Sequence, residues 1–269
     1  PSPDRIVSDC ADVPGCVYGA LASPAELAAK KAQLESVLAH VAHVPVAVEV
    51  VAAPSPLHYR NKVVFHAEKG TDGKWALGYR LEPSNKVLDM PACPLACAEI
   101  NAVLPAIRAE VMPKLTRPDD LTIRYTRADG VKWWLGDAPR DLVLHETTAG
   151  LAFEVSADGF YQINPAVGDL LVGAVRDAYA EGAAQASDVL DLYCGVGVFG
   201  LACLAAKKGA GRLVGVESGR SAVASAKRNA VALGVEANFF CERVGGSVHR
   251  LNAEEVRLHP QRHRVPLRG

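Results

Sequence analysis

Several features that mark other classes of protein are missing from this sequence of 269 residues. No apolar run approaches the ~20 residues that a membrane-spanning helix needs, and no signal peptide opens the chain. The formal net charge is -1, so any binding to nucleic acid must come from local basic patches. We expect no membrane or protein partner and a cytoplasmic location. An organellar one stays open, because the sequence begins abruptly at Pro1 and residues upstream can be missing.

The cysteines show no disulfide framework. There are seven of them, an odd number, at irregular spacing. Disulfide scaffolds carry paired cysteines in regular patterns, so this arrangement favours a reducing compartment. The sequence also contains no internal repeat and no low-complexity segment. What remains is a globular protein long enough for one large domain or two ordinary ones.

The first part of the chain predicts an α+β domain with antiparallel strands. A helix is expected to begin at Ser23 as the cap, with Pro24 in the first turn and Glu26 completing a capping box. Asp72-Gly73 and Asp129-Gly130 each separate two strand-like runs and so predict two β-hairpins. Between the hairpins, apolar residues at helical spacing predict a helix: Ile100, Val103, Leu104, Ile107 and Val111.

From about residue 157 the pattern changes to alternating helices and strands. Asn164-Pro165 predicts the start of a helix. Its expected apolar stripe is Val167, Leu170, Leu171 and Ala174. The strands and helices expected after it are Val189–Tyr193, Phe199–Lys208, Leu213–Glu217, Ser221–Leu233 and Ala237–Phe240. Such alternation is typical of βαβ units around a parallel sheet, so we predict an α+β domain over residues 1–155 and an α/β domain over 156–269.

A glycine-rich turn joins the first predicted parallel strand to the helix that follows. Gly195-Val-Gly197-Val-Phe-Gly200 spells G-x-G-x-x-G, which lets a ligand approach the backbone closely. Glu217 ends the next strand, where a carboxylate can accept hydrogen bonds from both ribose hydroxyls. A dinucleotide and S-adenosylmethionine both fit these residues. Asp191 favours S-adenosylmethionine, because a carboxylate there would repel a pyrophosphate but attract an ammonium and a sulfonium.

Several segments resemble the RNA uracil-5-methyltransferases, which make 5-methyluridine in tRNA or ribosomal RNA. Those in the second part of the chain are Gly159-Phe-Tyr-Gln-Ile-Asn-Pro165, Asp191-Leu-Tyr-Cys-Gly-Val-Gly-Val-Phe199, Gly215-Val-Glu217 and Ala226-Lys-Arg-Asn-Ala230. Those in the first part are Tyr59-Arg-Asn-Lys62, Leu77-Gly-Tyr-Arg80 and Asp89-Met-Pro-Ala-Cys-Pro94. The resemblance implies a Rossmann-like S-adenosylmethionine-dependent methyltransferase domain preceded by an RNA-binding domain.

The resemblance also implies roles for individual residues. Gln162 would contact S-adenosylmethionine, Tyr193 would lie along it and Glu217 would hold its ribose. The cofactor site is completed by Asp191, Gly195 and Gly197. Phe160 would stack on the target uracil, with a buried anchor as the alternative. The family often has an asparagine where this chain has Phe199, and one cofactor hydrogen bond is therefore in question.

RNA contacts are expected on the strands of the first domain. Arg60 and Lys62, together with Arg80, alternate so that one sheet face could hold phosphates. A solvated charged face is the alternative interpretation.

The chemistry implied by the resemblance needs a nucleophile. Uracil C5 is activated when a cysteine thiolate adds to C6, and a general base later removes the C5 proton. The family's D-P-P-R and S-C-N-P segments are not found, so no catalytic residue is assigned. Cys194 is interpreted as part of the cofactor loop and Cys241 as a neutral thiol at a strand end. Residues 247–269, rich in Arg and His, are interpreted as a truncated or alternative end.

Some family members hold an iron–sulfur cluster on C-x5-C-x2-C and a later cysteine. Cys10 and Cys16 have the five-residue spacing, and Cys93 matches the later ligand. Neither register supplies four thiolates, so we predict structural thiols and no metal site. Two other functions stay open: an inactive module that binds RNA or S-adenosylmethionine, and a methyltransferase for another substrate.

Overall fold

The structure is a computed structural model that describes Tyr18 and residues 21–81, 84–182, 188–206 and 211–245. The predictions that concern Cys10, Cys16 and residues 247–269 lie outside the described residues. The chain divides into two units. The first comprises residues 1–125, 130–137 and 163–167, and the second comprises 126–129, 138–162 and 168–269. Within the described ranges, no helix combines the length and hydropathy required to cross a membrane.

The first unit contains a five-stranded antiparallel sheet and a helix packed on it. The elements are α1 (Ser23–Ala42), β1 (Lys62–Lys69), β2 (Trp75–Arg80), β3 (Val87–Asp89), α2 (Ala98–Val111), β4 (Asp119–Thr126) and β5 (Gly130–Leu135). The sheet order is β3-β2-β1-β4-β5, which confirms both predicted hairpins. Helix α2 is confirmed as well, because Ile100, Leu104, Ile107 and Val111 are buried in the core of this unit.

Helix α1 begins differently from the prediction. Its cap is Ala22, which has an extended backbone, and Ser23 already lies within the helix. No side chain caps this end, so the predicted capping box at Ser23 is wrong. A hydroxyl one residue inside the helix cannot take the cap position from which it would accept the free amides. Glu26 instead forms an ion pair with Lys30 one turn along.

The second unit contains the alternating helices and strands. The elements are β6 (Val143–Thr148), β7 (Leu151–Ser156), α3 (Pro165–Gly182), β8 (Val189–Leu192), α4 (Val198–Ala205), β9 (Leu213–Glu217), α5 (Arg220–Leu233) and β10 (Ala237–Cys241). Strands β10-β9-β8 form a parallel sheet in that order, and β6 and β7 form a separate antiparallel hairpin. The predicted βαβ pattern is therefore confirmed.

The buried face of helix α3 differs from the predicted stripe. Gly168 and Val172 are buried, whereas Leu170 and Leu171 are 43% and 41% exposed. A Cβ atom added at Gly168 would lie 3.5 Å from the Gln162 side chain, an ordinary contact distance, so this face of the helix packs on the segment before it. Val172, one turn later, is buried on the same face. The start of the helix agrees with the prediction, since the Asn164 side chain accepts a hydrogen bond from the Val167 amide at 3.2 Å.

The second unit begins earlier in the chain than the predicted boundary near residue 155. Strands β6 and β7 belong to it, because β7 packs against α5. The amide and carbonyl of Glu154 in β7 are both hydrogen-bonded to Asn229 in α5. A strand-like sequence pattern alone does not indicate against which helix a hairpin will pack.

Candidate cofactor and base site

The glycine-rich turn between β8 and α4 has a backbone that only particular residues adopt easily. Gly195 and Gly197 have φ values of 55° and 85°, in the left-handed region that favours glycine. A Cβ atom on Gly197 would also lie 2.9 Å from a methyl carbon of Leu201. Tyr193 adopts φ of 62° although it is not a glycine, so the turn holds a strained residue at its start.

Asp191 lies beneath this turn. Its Oδ2 accepts a hydrogen bond from the Gly200 amide at 3.0 Å, which joins the end of β8 to the first turn of α4. Burial raises the pKa of the Asp191 carboxyl, and the Gly200 amide opposes that rise without cancelling it. A half-buried carboxylate with one amide partner keeps acceptor capacity for a cationic ligand.

Glu217 lies at the carboxyl end of β9, beside the same turn. Its two oxygens accept hydrogen bonds from the Gly195 amide at 3.2 Å and the Gly219 amide at 2.7 Å. The Ser218 hydroxyl donates a third at 3.1 Å. Partial burial raises the pKa of Glu217, but these donors outweigh it and leave the pKa below its ordinary value. Glu217 is therefore an ionised acceptor at neutral pH.

A cavity of about 80 Å³ opens beside the turn. Its lining includes Gln162 and Gly168 from the segment around α3, and Tyr193, Gly195 and Val196 from the glycine-rich turn. The lining is mainly apolar and also includes Val198 and Phe199. This location agrees with the predicted grouping of Gln162, Tyr193 and Gly195, although none of these contacts tests what the residues bind.

Two aromatic rings stand at the rim of the cavity. Phe160 is 74% exposed and Tyr193 is 76% exposed. The alternative that Phe160 is a buried anchor is therefore wrong. Both rings are therefore accessible to a ligand that enters the cavity.

A buried hydroxyl pair in the cavity wall was not predicted from the sequence. Thr148 and Tyr161 are hydrogen-bonded at 2.6 Å, and both line the cavity. Tyr161 lies inside the motif around Gln162, so the motif could have indicated it. Thr148 ends a strand of the hairpin, and its position depends on tertiary packing.

The two cysteines near the turn differ in their surroundings. Cys194 is buried, and burial together with Asp191 and Glu217 raises the pKa of its thiol to about 12. Cys241 is exposed at the end of β10, and its thiol donates to the Ser218 carbonyl at 3.5 Å. Because the pKa of Cys194 is raised, only a fraction on the order of 10⁻⁵ of its thiol is ionised at pH 7, which is too small for a resting nucleophile.

Alkylation should distinguish these two thiols. We expect iodoacetamide at pH 7.5 to label Cys241 at least ~10 times faster than Cys194, because Cys241 is exposed whereas Cys194 is buried and its thiol pKa is raised. Peptide mass spectrometry over a time course measures both rates in one sample. Equal labelling of Cys194 in the folded protein would contradict the assignment of its thiol as inert.

The residues predicted to hold RNA phosphates have partners in the first unit. Arg80 donates to Glu68 at 2.8 Å and to the Asn85 carbonyl at 3.1 Å. The guanidinium of Arg60 lies 5.9 Å from the centre of the Tyr59 ring. Lys62 is aligned with Arg124 across β1 and β4. Phosphate binding by Arg60 and Lys62 stays a prediction.

Cys93 is buried in the first unit, and the Tyr79 hydroxyl lies 3.6 Å from its sulfur. Within the described ranges, no group of three or more His, Cys, Asp or Glu side chains could hold a metal ion.

Comparisons with known proteins agree with this architecture. Residues 169–254 match the family described as Methyltransferase small domain. A tRNA (uracil(54)-C(5))-methyltransferase of Schizosaccharomyces pombe is 26% identical over 80% of this chain and 43% of its own length. An uncharacterized RNA methyltransferase of Thermosynechococcus vestitus is 26% identical over 90% of this chain and 64% of its own length. The chain thus spans about half to two thirds of these two relatives.

A solved structure resembles the fold of this chain. The tRNA (uracil-54, C5)-methyltransferase of Pyrococcus abyssi, in complex with S-adenosyl-L-homocysteine, matches with a TM-score of 0.62 at 20% identity. The match covers 88% of this chain and 67% of that one. The fold is therefore that of a Rossmann-like methyltransferase domain preceded by an α+β domain, as predicted. The named relatives confirm the resemblance to RNA uracil-5-methyltransferases.

Proposed function

We propose that this chain binds S-adenosylmethionine at the glycine-rich turn and serves the methylation of uridine C5 in tRNA or ribosomal RNA. The observation that carries the proposal is the meeting of two carboxylates, Asp191 and Glu217, with a left-handed glycine turn and two exposed aromatic rings. Asp191 accepts a hydrogen bond from the Gly200 amide and Glu217 accepts one from the Gly195 amide, at the two ends of the turn. The two rings line a small cavity together with Gly195, and all of these groups belong to one unit. The names of the relatives support uracil in RNA as the substrate class.

The charges of the site suit S-adenosylmethionine better than a dinucleotide. A pyrophosphate would meet Asp191 directly beneath the turn, whereas an ammonium or sulfonium would be attracted to it. Glu217, ionised and fixed by the Gly195 and Gly219 amides, is placed to accept from ribose hydroxyls. When bound, S-adenosylmethionine supplies an electrophilic methyl group. Gln162, which also lines the cavity, would then contact it.

The rim of the cavity suits a planar base. Phe160 and Tyr193 expose their rings, and a base taken out of its stack is commonly held against aromatic side chains. The reaction also needs a thiolate that adds to C6, which Cys194 does not provide. We therefore assign no catalytic nucleophile among the described residues, and we keep Arg60 and Lys62 as proposed phosphate contacts.

The test is transfer of a labelled methyl group from S-adenosylmethionine to unmodified tRNA and ribosomal RNA transcripts, with nucleoside analysis of the product. Binding of S-adenosylmethionine is measured in parallel by calorimetry. Formation of 5-methyluridine would establish the full proposal. Binding without transfer would favour the alternative of a module that binds cofactor or RNA but is inactive. Absence of binding would overturn the proposal.

The charge of Asp191 should oppose stability while favouring the cofactor. Burial on folding raises the pKa of this carboxyl, so its ionised form lowers the free energy of unfolding. This loss disappears as the pH falls and the carboxyl becomes protonated in the folded protein. Asp191→Asn keeps an oxygen for the Gly200 amide and removes the charge. We expect the variant to melt higher than the wild type at pH 7.5, with a smaller difference at pH 4.5.

Thermal unfolding followed by circular dichroism at the two pH values measures this difference. The same variant should bind S-adenosylmethionine more weakly at pH 7.5, since an attractive charge is gone. A variant that melts lower than the wild type, by more at pH 7.5 than at pH 4.5, would contradict the sign of the effect.

A further inference from the structure

Asn229 is a buried polar residue to which the proposed mechanism gives no role. It lies in α5, within the segment Ala226-Lys-Arg-Asn-Ala230, and its side chain is 2% exposed. Its Oδ1 accepts from the Glu154 amide at 2.7 Å. Its Nδ2 donates to the Glu154 carbonyl at 3.0 Å and to the Val196 carbonyl at 3.1 Å. Both donor positions and one acceptor position are therefore used.

These three hydrogen bonds connect the glycine-rich turn to strand β7. Val196 lies between Gly195 and Gly197 in the turn, and it lines the cavity. Glu154 lies in β7, and the chain continues from this strand to Phe160 and Gln162, which also line the cavity. A single side-chain amide thus fixes the turn relative to the strand that leads to these two residues.

Neighbouring contacts hold the same strand and turn against α5. Arg228 forms an ion pair with the carboxylate of Glu154. Ser221 at the start of α5 donates to Asp158, one residue before Gly159, at 2.9 Å. Of the side chains of Ser221, Arg228 and Asn229, it is Asn229 that bonds to the glycine-rich turn. The others position β7 and the residues after it without touching Val196.

The chemistry of the site explains why an asparagine is needed. The site presents one N–H donor and two carbonyl acceptors to a side chain of fixed length. A carboxylate offers only acceptors and would face two carbonyl oxygens. Serine is shorter and carries one donor. Since Tyr193, Gly195 and Gly197 all have left-handed backbones, the turn keeps its shape only where surrounding contacts fix it.

We propose that Asn229 is a positioning residue that sets the shape of the glycine-rich turn and its spacing from β7, and thereby the affinity for S-adenosylmethionine. The effect on affinity rests on the proposed function. The effect on the shape of the turn can be measured without a ligand.

The chain offers a matched control in the other unit. Asn101 accepts from the Cys93 amide at 2.9 Å and donates to the Cys93 carbonyl at 2.9 Å and the Ala96 carbonyl at 3.0 Å. This is the same three-bond pattern, at a site that contributes nothing to the cavity. Asn101→Asp therefore removes the same two donated hydrogen bonds as Asn229→Asp, but it leaves the contacts of the glycine-rich turn unchanged.

The experiment compares both variants with the wild type by hydrogen–deuterium exchange and by calorimetric titration with S-adenosylmethionine. In Asn229→Asp we expect amides of residues 195–200 to exchange at least ~10-fold faster, and the dissociation constant to rise at least ~10-fold. In Asn101→Asp both quantities should stay within about twofold of the wild type. If Asn229→Asp does not fold, Asn229→Ser, which removes the reach to Val196, is compared with Asn101→Ser.

The outcomes separate the two claims. Unchanged exchange at residues 195–200 in a folded Asn229 variant would overturn the positioning role. Faster exchange with unchanged affinity would overturn the link between the turn and the cofactor. A wild-type chain that does not bind S-adenosylmethionine would overturn the proposed function, while the exchange data would still decide whether Asn229 holds the turn.

Discussion

Replacing Glu217 with glutamine is expected to weaken binding of S-adenosylmethionine by about 100-fold. The carboxylate is ionised and accepts from two backbone amides, so a ribose would be held by charge-assisted hydrogen bonds. Such bonds contribute about 1.5–3 kcal/mol each. Glutamine would lose the charge and turn an NH₂ group toward either the Gly195 or the Gly219 amide. Isothermal titration calorimetry measures the change.

Glu236→Gln is the control for this prediction. Glu236 is exposed, and its main-chain carbonyl accepts a hydrogen bond from the Leu213 amide at the start of β9. Glu217 lies at the other end of the same strand. The control removes one negative charge from the same unit without touching the turn. Equal affinities of the wild type and both variants would show that Glu217 does not contact the ligand.

Replacing Gly200 with alanine is expected to lower the free energy of unfolding by about 2–3 kcal/mol, a typical cost of overpacking. A Cβ atom at this position would lie 2.4 Å from one methyl of Leu213 and 3.0 Å from the other. Leu213 is fully buried in β9 and cannot move aside freely. A decrease in melting temperature of about 5–10 °C should follow.

Gly173→Ala gives the matched comparison. Gly173 lies inside helix α3, and a Cβ atom there would meet nothing within 4 Å. Alanine in a helix is more favourable than glycine by roughly 0.5–1 kcal/mol, so this variant should melt slightly higher than the wild type. Opposite signs for the two substitutions would attribute the cost at Gly200 to the close approach of α4 and β9. A Gly200 variant as stable as the wild type would contradict the packing.

Local signals in the sequence predicted the elements of the structure. The dipeptides Asp72-Gly73 and Asp129-Gly130 lie in the two observed hairpins, because positive φ at a glycine is a requirement of the turn itself. Helix α2 follows from its apolar spacing, and α3 starts where Asn164 caps it. Such features depend on neighbouring residues and can be read without tertiary structure.

Features that depend on distant residues were not predictable. The buried face of α3 is the one that carries Gly168 and packs on Gln162, whereas hydrophobicity alone favoured Leu170 and Leu171. The start of α1 depends on the backbone of Ala22, which no side-chain pattern reveals.

The residues of the candidate site also differ in whether local sequence or tertiary contacts determine their positions. Asp191, Gly195 and Gly197 belong to one local motif at the end of β8. Glu217 ends the next strand, and the alternation of strands and helices was sufficient to predict that this strand lies beside the first. The three hydrogen bonds of Asn229 join residues 33 and 75 positions apart and depend on how the hairpin packs. The engagement of Arg80 by Glu68 also depends on the register between β1 and β2.

The interleaving of the two units has a consequence for how the polypeptide can be divided. The chain passes from one unit to the other five times, after residues 125, 129, 137, 162 and 167. No single cut therefore yields two complete pieces. A fragment starting at residue 156 would lack β7, and the buried amide of Asn229 would lose its partners in Glu154. If residues 1–155 and 156–269 were expressed separately, each fragment would expose core residues and leave polar groups without their partners. The two units are therefore expected to fold only as parts of one chain.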